Sequence, residues 1–367
     1  MAAEKAAEKP YVRGFRRDGD ANCEHNAVEV TVPATSANLG PGYDTLGLAL
    51  GLHDTVSARV VPSGPSLSLS VSGEGASEVA DAGEKHLIVR AMRATFDDLG
   101  IAQPPGLQLR CVNRIPHGRG LGSSAAAICA GILAARALAG APAGPDDALP
   151  LASGLEGHPD NVAPCLYGGL TVAWLAGESA RAVRVEPLET IKPVLLIPDS
   201  PVSTEVARGL LPEKVTHADA AANAGRAALL IAALTARPGV LLDATEDRLH
   251  QDYRQPAMPA TIDLVRRLRE AEVPAVVSGA GPSVLCFLRG ENSSQEVHPR
   301  EGNYPQAPPA IGVPTPLGRP AESSTLSAAD LGKLDSTAKG TGIDWRITPL
   351  DVDRQGAAVS PAASGAW

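Results

Sequence analysis

No segment of this 367-residue chain reaches about 18 consecutive apolar residues free of charge, so no membrane-spanning helix is expected. The first twenty residues, MAAEKAAEKPYVRGFRRDGD, lack the apolar centre of a secretory signal. Positive charge is also in short supply. With 32 Lys and Arg against 41 Asp and Glu the formal net charge is −9, and no overall basic field draws in nucleic acid or an anionic membrane surface. Cysteine is sparse and scattered: Cys23, Cys111, Cys129, Cys165 and Cys286 form no C-x-x-C pair and have no adjacent histidine pattern. That excludes a disulfide framework and a zinc site, and leaves small core hydrophobes suited to a reducing compartment. A soluble, cytoplasmic protein acting on a small molecule is expected, without nucleic-acid or membrane partners.

What is present is ordinary globular material, 44% hydrophobic and 20% charged, at a length that suits two domains. Residues 1–26 are polar and aperiodic and read as a mobile arm. Alternation begins at Val28, Val30 and Val32, and is expected to break at Pro33 into a loop holding Gly40, Gly42 and Gly47. LSLSVSG and LQLRCVNRI read as strands on either side of the helical HLIVRAMRATFDDLG. The most regular helix is SSAAAICAGILAARALAG, with Ser123 or Ser124 as an expected N-cap and Gly140 as its stop. Further strands are expected in GGLTVAWLA, VLLIP, AVVSG and VLCFL, and helices from about Ala218 to Ala236 and in TIDLVRRLREA. Strands and helices do not alternate strictly, so the fold class is α+β rather than a doubly wound parallel sheet. From residue 289 to about 324, seven prolines forbid regular helix and mark a disordered insertion. A short helix, a returning strand at about 344–352 and a frayed tail over 353–367 are expected to follow.

Chemistry concentrates in PHGRGLGSSAAA, Pro116 to Ala127, a glycine loop between a strand and a helix. Backbone N–H groups at a helix start, together with the positive end of its dipole, form a phosphate site, and glycines let the anion approach. Ser123 and Ser124 add hydroxyls for phosphate or Mg²⁺. A serine-capped turn is the structural alternative. Two other phosphate motifs are excluded. A Walker loop needs a lysine, and none stands between Val112 and the helix. A dinucleotide fingerprint needs G-x-G-x-x-G, whereas the glycines here are Gly118, Gly120 and Gly122, and position 142, where an acid is required, is proline.

The loop resembles the phosphate-binding motif of the GHMP kinases, and VPATSANLGPGYDTLGLAL and VSGAGPSVLCF resemble that family's first and third motifs, in order. PATSANLGPGYDTLG and EGHPDNVAPCLYGGL are similar to the homoserine kinase branch. The resemblance covers about residues 27–288 and resumes near 341. It implies a ribosomal-S5-like N-terminal domain over 27–180 and a ferredoxin-like C-terminal domain over 181–352, with ATP and substrate between them. It also implies ATP-dependent phosphorylation of the side-chain hydroxyl of L-homoserine, a step in threonine biosynthesis, with Mg²⁺ and a homodimer. Carried over by motif, ATP binds Pro116, His117, Gly118, Arg119, Gly120, Leu121, Gly122, Ser123, Ser124 and Ala125, together with Gly279, Gly281 and Ser283. Homoserine binds Asn38, Asp44, His158, Asn161, Thr204, Arg208 and Arg254, with Asn161, Asn38 and Ser124 serving catalysis.

That set makes chemical sense in itself. Two guanidiniums can clamp a carboxylate, a carboxylate can hold an ammonium, and amides with an imidazole can fix a hydroxyl. The bland readings are an Asx-turn at Asn38, a helix cap at Asp44, a polar turn at His158 and surface charges at Arg208 and Arg254. One departure stands out: the family's metal-binding glutamate falls on Pro150, so either Ser124 with nucleotide and water holds Mg²⁺, or Glu156 substitutes. Asn161 cannot accept a proton, so catalysis is expected to rest on alignment and charge neutralisation. Another GHMP kinase acting on a different alcohol, or a non-catalytic binding module, are the competing readings.

Overall fold

The computed structural model describes residues 27–62, 65–79, 81–290 and 326–363. The arm expected at 1–26 and, past Gly290, the insertion expected at about 289–324 lie outside the described residues.

A seven-stranded sheet contains β1 (Ala27–Ala37), β2 (Leu46–Val60), β3 (Leu67–Gly73), β4 (Leu107–Asn113), β5 (Leu170–Ala176), β6 (Ser179–Val185) and β11 (Ala358–Pro361). Its main path runs β11-β1-β2-β4-β3, with β5 joined to β2 and β6 to β5. Its helices are α1 (Ala76–Val79), α2 (Leu87–Asp98), α3 (Ser123–Leu138), α4 (Pro145–Glu156) and α5 (Pro159–Tyr167). β3 lies parallel to β4, which requires the crossover that α1 and α2 supply. α3 is apolar nearly all round and, apart from the half-buried Ala127, is buried from Ala125 to Arg136, as a helix at the centre of a core must be.

The second sheet holds β7 (Ile191–Pro198), β8 (Ala275–Val277), β9 (Val284–Arg289) and β10 (Trp345–Pro349) in the order β10-β7-β9-β8, all pairs antiparallel. Helices α6 (Thr204–Gly209), α7 (His217–Thr235), α8 (Leu241–Ala244) and α9 (Pro259–Glu270) fall between β7 and β8, and α10 (Ala328–Lys339) between β9 and β10. The spatial order is therefore fourth, first, third, second, the ferredoxin-like arrangement. A separate apolar cluster, including Val194, Leu196, Leu264, Leu268 and Leu334, lies with this sheet.

Three local expectations change. β1 does not end at Pro33 but runs to Ala37, with a register shift between Pro33 and Ala34 that accommodates a residue unable to donate to the ladder. β2 continues through Gly47, where a Cβ would stand 2.1 Å from the carbonyl oxygen of Asp160, so glycine lets α5 press against the strand. The tail expected to fray from 353 instead returns as β11, antiparallel to β1. Its side chains are exposed, so it carries no apolar pattern and is held by backbone pairing.

Asp353 organises that return. Its carboxylate accepts from the N–H of Gln355 (3.0 Å) and of Gly356 (2.6 Å), and His53 Nε2 lies 2.7 Å away. Burial pushes this carboxyl up, but His53 and the two N–H donors outweigh it and hold the group below the ordinary aspartate range. The stability it supplies is thus present above the unfolded aspartate's pKa and is lost as pH falls through the lower folded value. Asp353→Ala is expected to cost about 1–3 kcal/mol in urea unfolding near neutral pH, and an unchanged midpoint would show that the turn anchors nothing.

Candidate active site

The glycine loop arrives from β4 with Gly118, Gly120 and Gly122 at φ of 63°, 70° and 69°, left-handed values that favour glycine. Gly122 itself is the N-cap of α3, and no side chain caps that helix. The serine cap expected from the sequence is therefore absent: Ser123 and Ser124 are already helical residues, and Ser124 Oγ donates to Glu156 Oε2 at 2.8 Å. The first-turn N–H groups of a 16-residue helix are left without a side-chain acceptor, as an anion site requires.

The second domain braces this loop. Ser278 Oγ lies 2.7 Å from the Gly120 carbonyl and 2.9 Å from Ser36 Oγ, and the Gly279 N–H donates to the Ala37 carbonyl at 3.1 Å. Arg119 donates to the carbonyls of Pro198 (3.0 Å), His117 (2.9 Å) and Asp199, tying the loop to the end of β7.

Two cavities flank the loop and share Ser123 and Ser124. One, of about 320 Å³, has apolar walls that include Val32, Val56, Leu87, Ile88 and Ala130, with Asp54, Asn113 and His117 among its polar groups. It has the character of a site for a flat heteroaromatic base. The other, of about 230 Å³, is polar and gathers Asn38, Glu156, His158, Asp160, Asn161, Thr204, Arg208 and Arg254 beside Gly120 and Gly122.

The polar cavity is built on a strained turn. Asn38, Leu39 and Asp44 have φ of 66°, 50° and 54°, a conformation that asparagine and aspartate tolerate better than leucine does. Asn38 stabilises it by donating to the Gly279 carbonyl at 2.9 Å and accepting from the Asp44 N–H at 3.0 Å. Asp44 meets Arg208 in a two-pronged pair of 2.6 and 3.2 Å, and Arg208 also donates to the Tyr43 hydroxyl at 2.9 Å. Burial would lower the Arg208 pKa, but the hydrogen bond and charge of Asp44 outweigh it and leave the group above its ordinary value. Arg254 differs: it is 1% exposed, its Nη1 donates to the Gly279 carbonyl at 2.8 Å, its Nε has no partner, and burial pushes its pKa down. A buried guanidinium so poorly matched leaves donors unused at the cavity wall. Across the cavity, Thr35 Oγ1 donates to Asn161 Oδ1 at 2.9 Å, and His158 Nδ1 lies 2.5 Å from Asp160 Oδ1.

Comparison with known proteins now decides the family. Residues 86–169 match the GHMP kinases N terminal domain. A homoserine kinase of Streptomyces coelicolor is 52% identical over 341 residues, spanning 92% of this chain and 96% of that one. The chain belongs to the homoserine kinase family. A second homoserine kinase, from Clavibacter michiganensis, is 54% identical over 263 residues, covering 71% of this chain and 82% of its own. The crystal structure of a homoserine kinase from Cytophaga hutchinsonii aligns with a TM-score of 0.70 at 24% identity over 94% of this chain and 99% of that one, which shows a shared fold.

Within the homoserine kinase fold, the residues singled out by sequence do not all share one place. Asn38, His158, Asn161, Thr204, Arg208 and Arg254 line the polar cavity with Gly118, Gly120, Leu121, Gly122, Ser123, Ser124 and Gly279. Asp44 joins them through Arg208. Pro116 and Arg119 instead line a third cavity behind the loop, and His117 lines both that cavity and the apolar one. Ala125 and Ser283 are fully buried, and Gly281 follows the brace at Gly279. Asp160, Tyr43 and Thr35 were not singled out by sequence, although each sits within a quoted motif and the first two stand beside Asn161 and Asp44. Among the described residues no helix is long and apolar enough to cross a membrane.

Proposed function

We propose that this chain transfers the γ-phosphate of ATP to the side-chain hydroxyl of L-homoserine. The observation that carries the reading is the charge arrangement beside the phosphate loop: the Asp44–Arg208 pair, with the under-partnered Arg254 buried next to it. A zwitterionic amino acid presents the same two charges in reverse. Its ammonium can be held by Asp44 and its carboxylate by Arg208 and Arg254, as charge-assisted hydrogen bonds favour. Its side chain then extends toward Asn38, His158 and Asn161, which face the loop across one cavity.

In the transfer, the homoserine oxygen attacks the γ-phosphorus as the bond to the departing ADP oxygen breaks, and the hydroxyl proton leaves to phosphate or water. Asn161 and Asn38 orient the hydroxyl, and the N–H groups at the start of α3 bear the charge that spreads over the equatorial oxygens. The adenine occupies the apolar cavity on the other side of Ser123 and Ser124.

The residues present also fit Mg²⁺, because Glu156 Oε2 and Ser124 Oγ bring two hard oxygen donors within 2.8 Å of each other at the loop. Glu156 and Ser124 would hold the ion with the nucleotide phosphates, where it supplies charge neutralisation. Pro150, by contrast, is an exposed residue inside α4 with no ligand to offer. Glu156→Gln is accordingly expected to raise the Mg²⁺ concentration for half-maximal activity on the order of 10- to 100-fold, while Pro150→Glu leaves it unchanged. A metal titration that responds to Pro150→Glu and ignores Glu156→Gln would reverse the assignment.

A coupled ADP-release assay with homoserine, serine, threonine, shikimate and mevalonate tests the substrate. Homoserine is expected to give the highest kcat/KM, and an uncharged or purely anionic alcohol that outperforms it would refute the zwitterion site.

A further inference from the structure

Asp160 has no part in the substrate contacts just described, yet it is 1% exposed and lines the same cavity. It occupies the first turn of α5, after Pro159, and its carboxylate faces back to the imidazole of the N-cap residue, His158. The separation of 2.5 Å between His158 Nδ1 and Asp160 Oδ1 requires a proton between them, and the carboxylate, as acceptor, leaves that proton on Nδ1. The ring is then held with Nε2 as the nitrogen available to the cavity. The other charges near the ring are Glu156 at the end of α4 and Arg208 on α6. Neither hydrogen-bonds to the imidazole: Glu156 accepts from Ser124, and Arg208 is taken up by Asp44 and Tyr43. The backbone that carries this carboxylate is closely packed, since a Cβ on Gly47 of β2 would stand 2.1 Å from the Asp160 carbonyl oxygen.

We infer that Asp160 is a positioning residue for phosphoryl transfer: it fixes the orientation and Nδ1-protonated state of His158, so that Nε2 meets the substrate's reacting hydroxyl. This rests on the proposed function, in which the homoserine side chain extends toward His158, and adds a contact from Nε2 to the hydroxyl that Asn161 and Asn38 orient. A carboxylate in the first turn of a helix also serves the helix dipole, so the experiment must separate positioning from a purely structural role.

Three variants do so: Asp160→Asn, His158→Gln and the double mutant, with Asp160→Glu as a carboxylate-retaining control. Asp160→Asn is expected to lower kcat with homoserine by about 10- to 100-fold while the KM for ATP stays within a factor of about two. In the His158→Gln background the same change should have almost no further effect, because a residue acting through another loses its role when that partner is gone. Asp160→Glu should recover part of the activity. Nitrogen-15 spectra of histidine-labelled protein, taken at alkaline pH where the ring is neutral, should show His158 protonated on Nδ1 in the unmodified chain and shifted toward Nε2 in Asp160→Asn. An equal loss from Asp160→Asn with and without His158 would overturn the inference and make Asp160 a structural residue of α5, as would an unchanged tautomer. Wild-type kinetics in His158→Gln would instead remove the hydroxyl contact on which the inference rests, even if the spectra still show Nδ1 protonated.

Discussion

Replacing Gly122 by valine is expected to lower kcat/KM for ATP by about 100-fold or more while leaving the chain folded. The residue is the N-cap of α3 at φ 69°, and a Cβ there would stand 1.9 Å from Thr35 Oγ1 and 3.1 Å from Asn161 Oδ1. Those two groups share a hydrogen bond of 2.9 Å, so one added side chain displaces the phosphate loop and the amide proposed to orient the acceptor. The local strain, about 1–3 kcal/mol, is smaller than the 5–15 kcal/mol of a typical domain. Calorimetric titration with ATP checks the outcome. Unaltered ATP affinity would mean that the loop holds no phosphate.

Changing Arg254 to methionine should separate function from stability. The guanidinium is fully buried with a single main-chain acceptor at Nη1 and an unpartnered Nε, so the fold bears a desolvation cost that a substrate carboxylate would offset. Methionine fills much of the same space without that cost. The expected result is a rise in the KM for homoserine of about 10- to 150-fold, the equivalent of about 1.5–3 kcal/mol for a lost charge-assisted bond. The thermal midpoint should hold or rise. A fall in thermal stability with homoserine kinetics intact would make Arg254 a strut between the turn that precedes α9 and the Gly279 loop.

How much of this was legible in the sequence follows from what each residue does physically. β3 and β4 announce themselves because their apolar residues alternate, α3 because it is a long alanine-rich run closed by Gly140, and the phosphate loop because its left-handed backbone favours glycine. β11 was invisible for the opposite reason. All its side chains are exposed, and hydrogen bonds between backbones leave no trace in residue type. Pro33 misled because a proline usually ends a strand, and only the partner strand reveals the shifted register that accommodates it.

The site divides in the same way. Motif resemblance indicated Asn38, His158, Asn161, Thr204, Arg208 and Arg254, and these six share one cavity. It could not indicate that Arg208 is already matched by Asp44 whereas Arg254 is not, since that difference arises from tertiary contacts. Nor could it show that Arg119 is bound to the Pro198 and Asp199 carbonyls at the end of β7 rather than left for phosphate. Ser124 and Glu156 were the two options for the metal, and only the folded chain shows that they lie 2.8 Å apart.

Phosphorus NMR of the full-length chain with ATP, Mg²⁺ and L-homoserine tests the central claim most directly. The account predicts that a phosphomonoester resonance grows as the γ-phosphate resonance of ATP disappears, in step with ADP, and only when homoserine is present. Release of inorganic phosphate alone, or no turnover of ATP at any Mg²⁺ concentration with homoserine supplied, would contradict it.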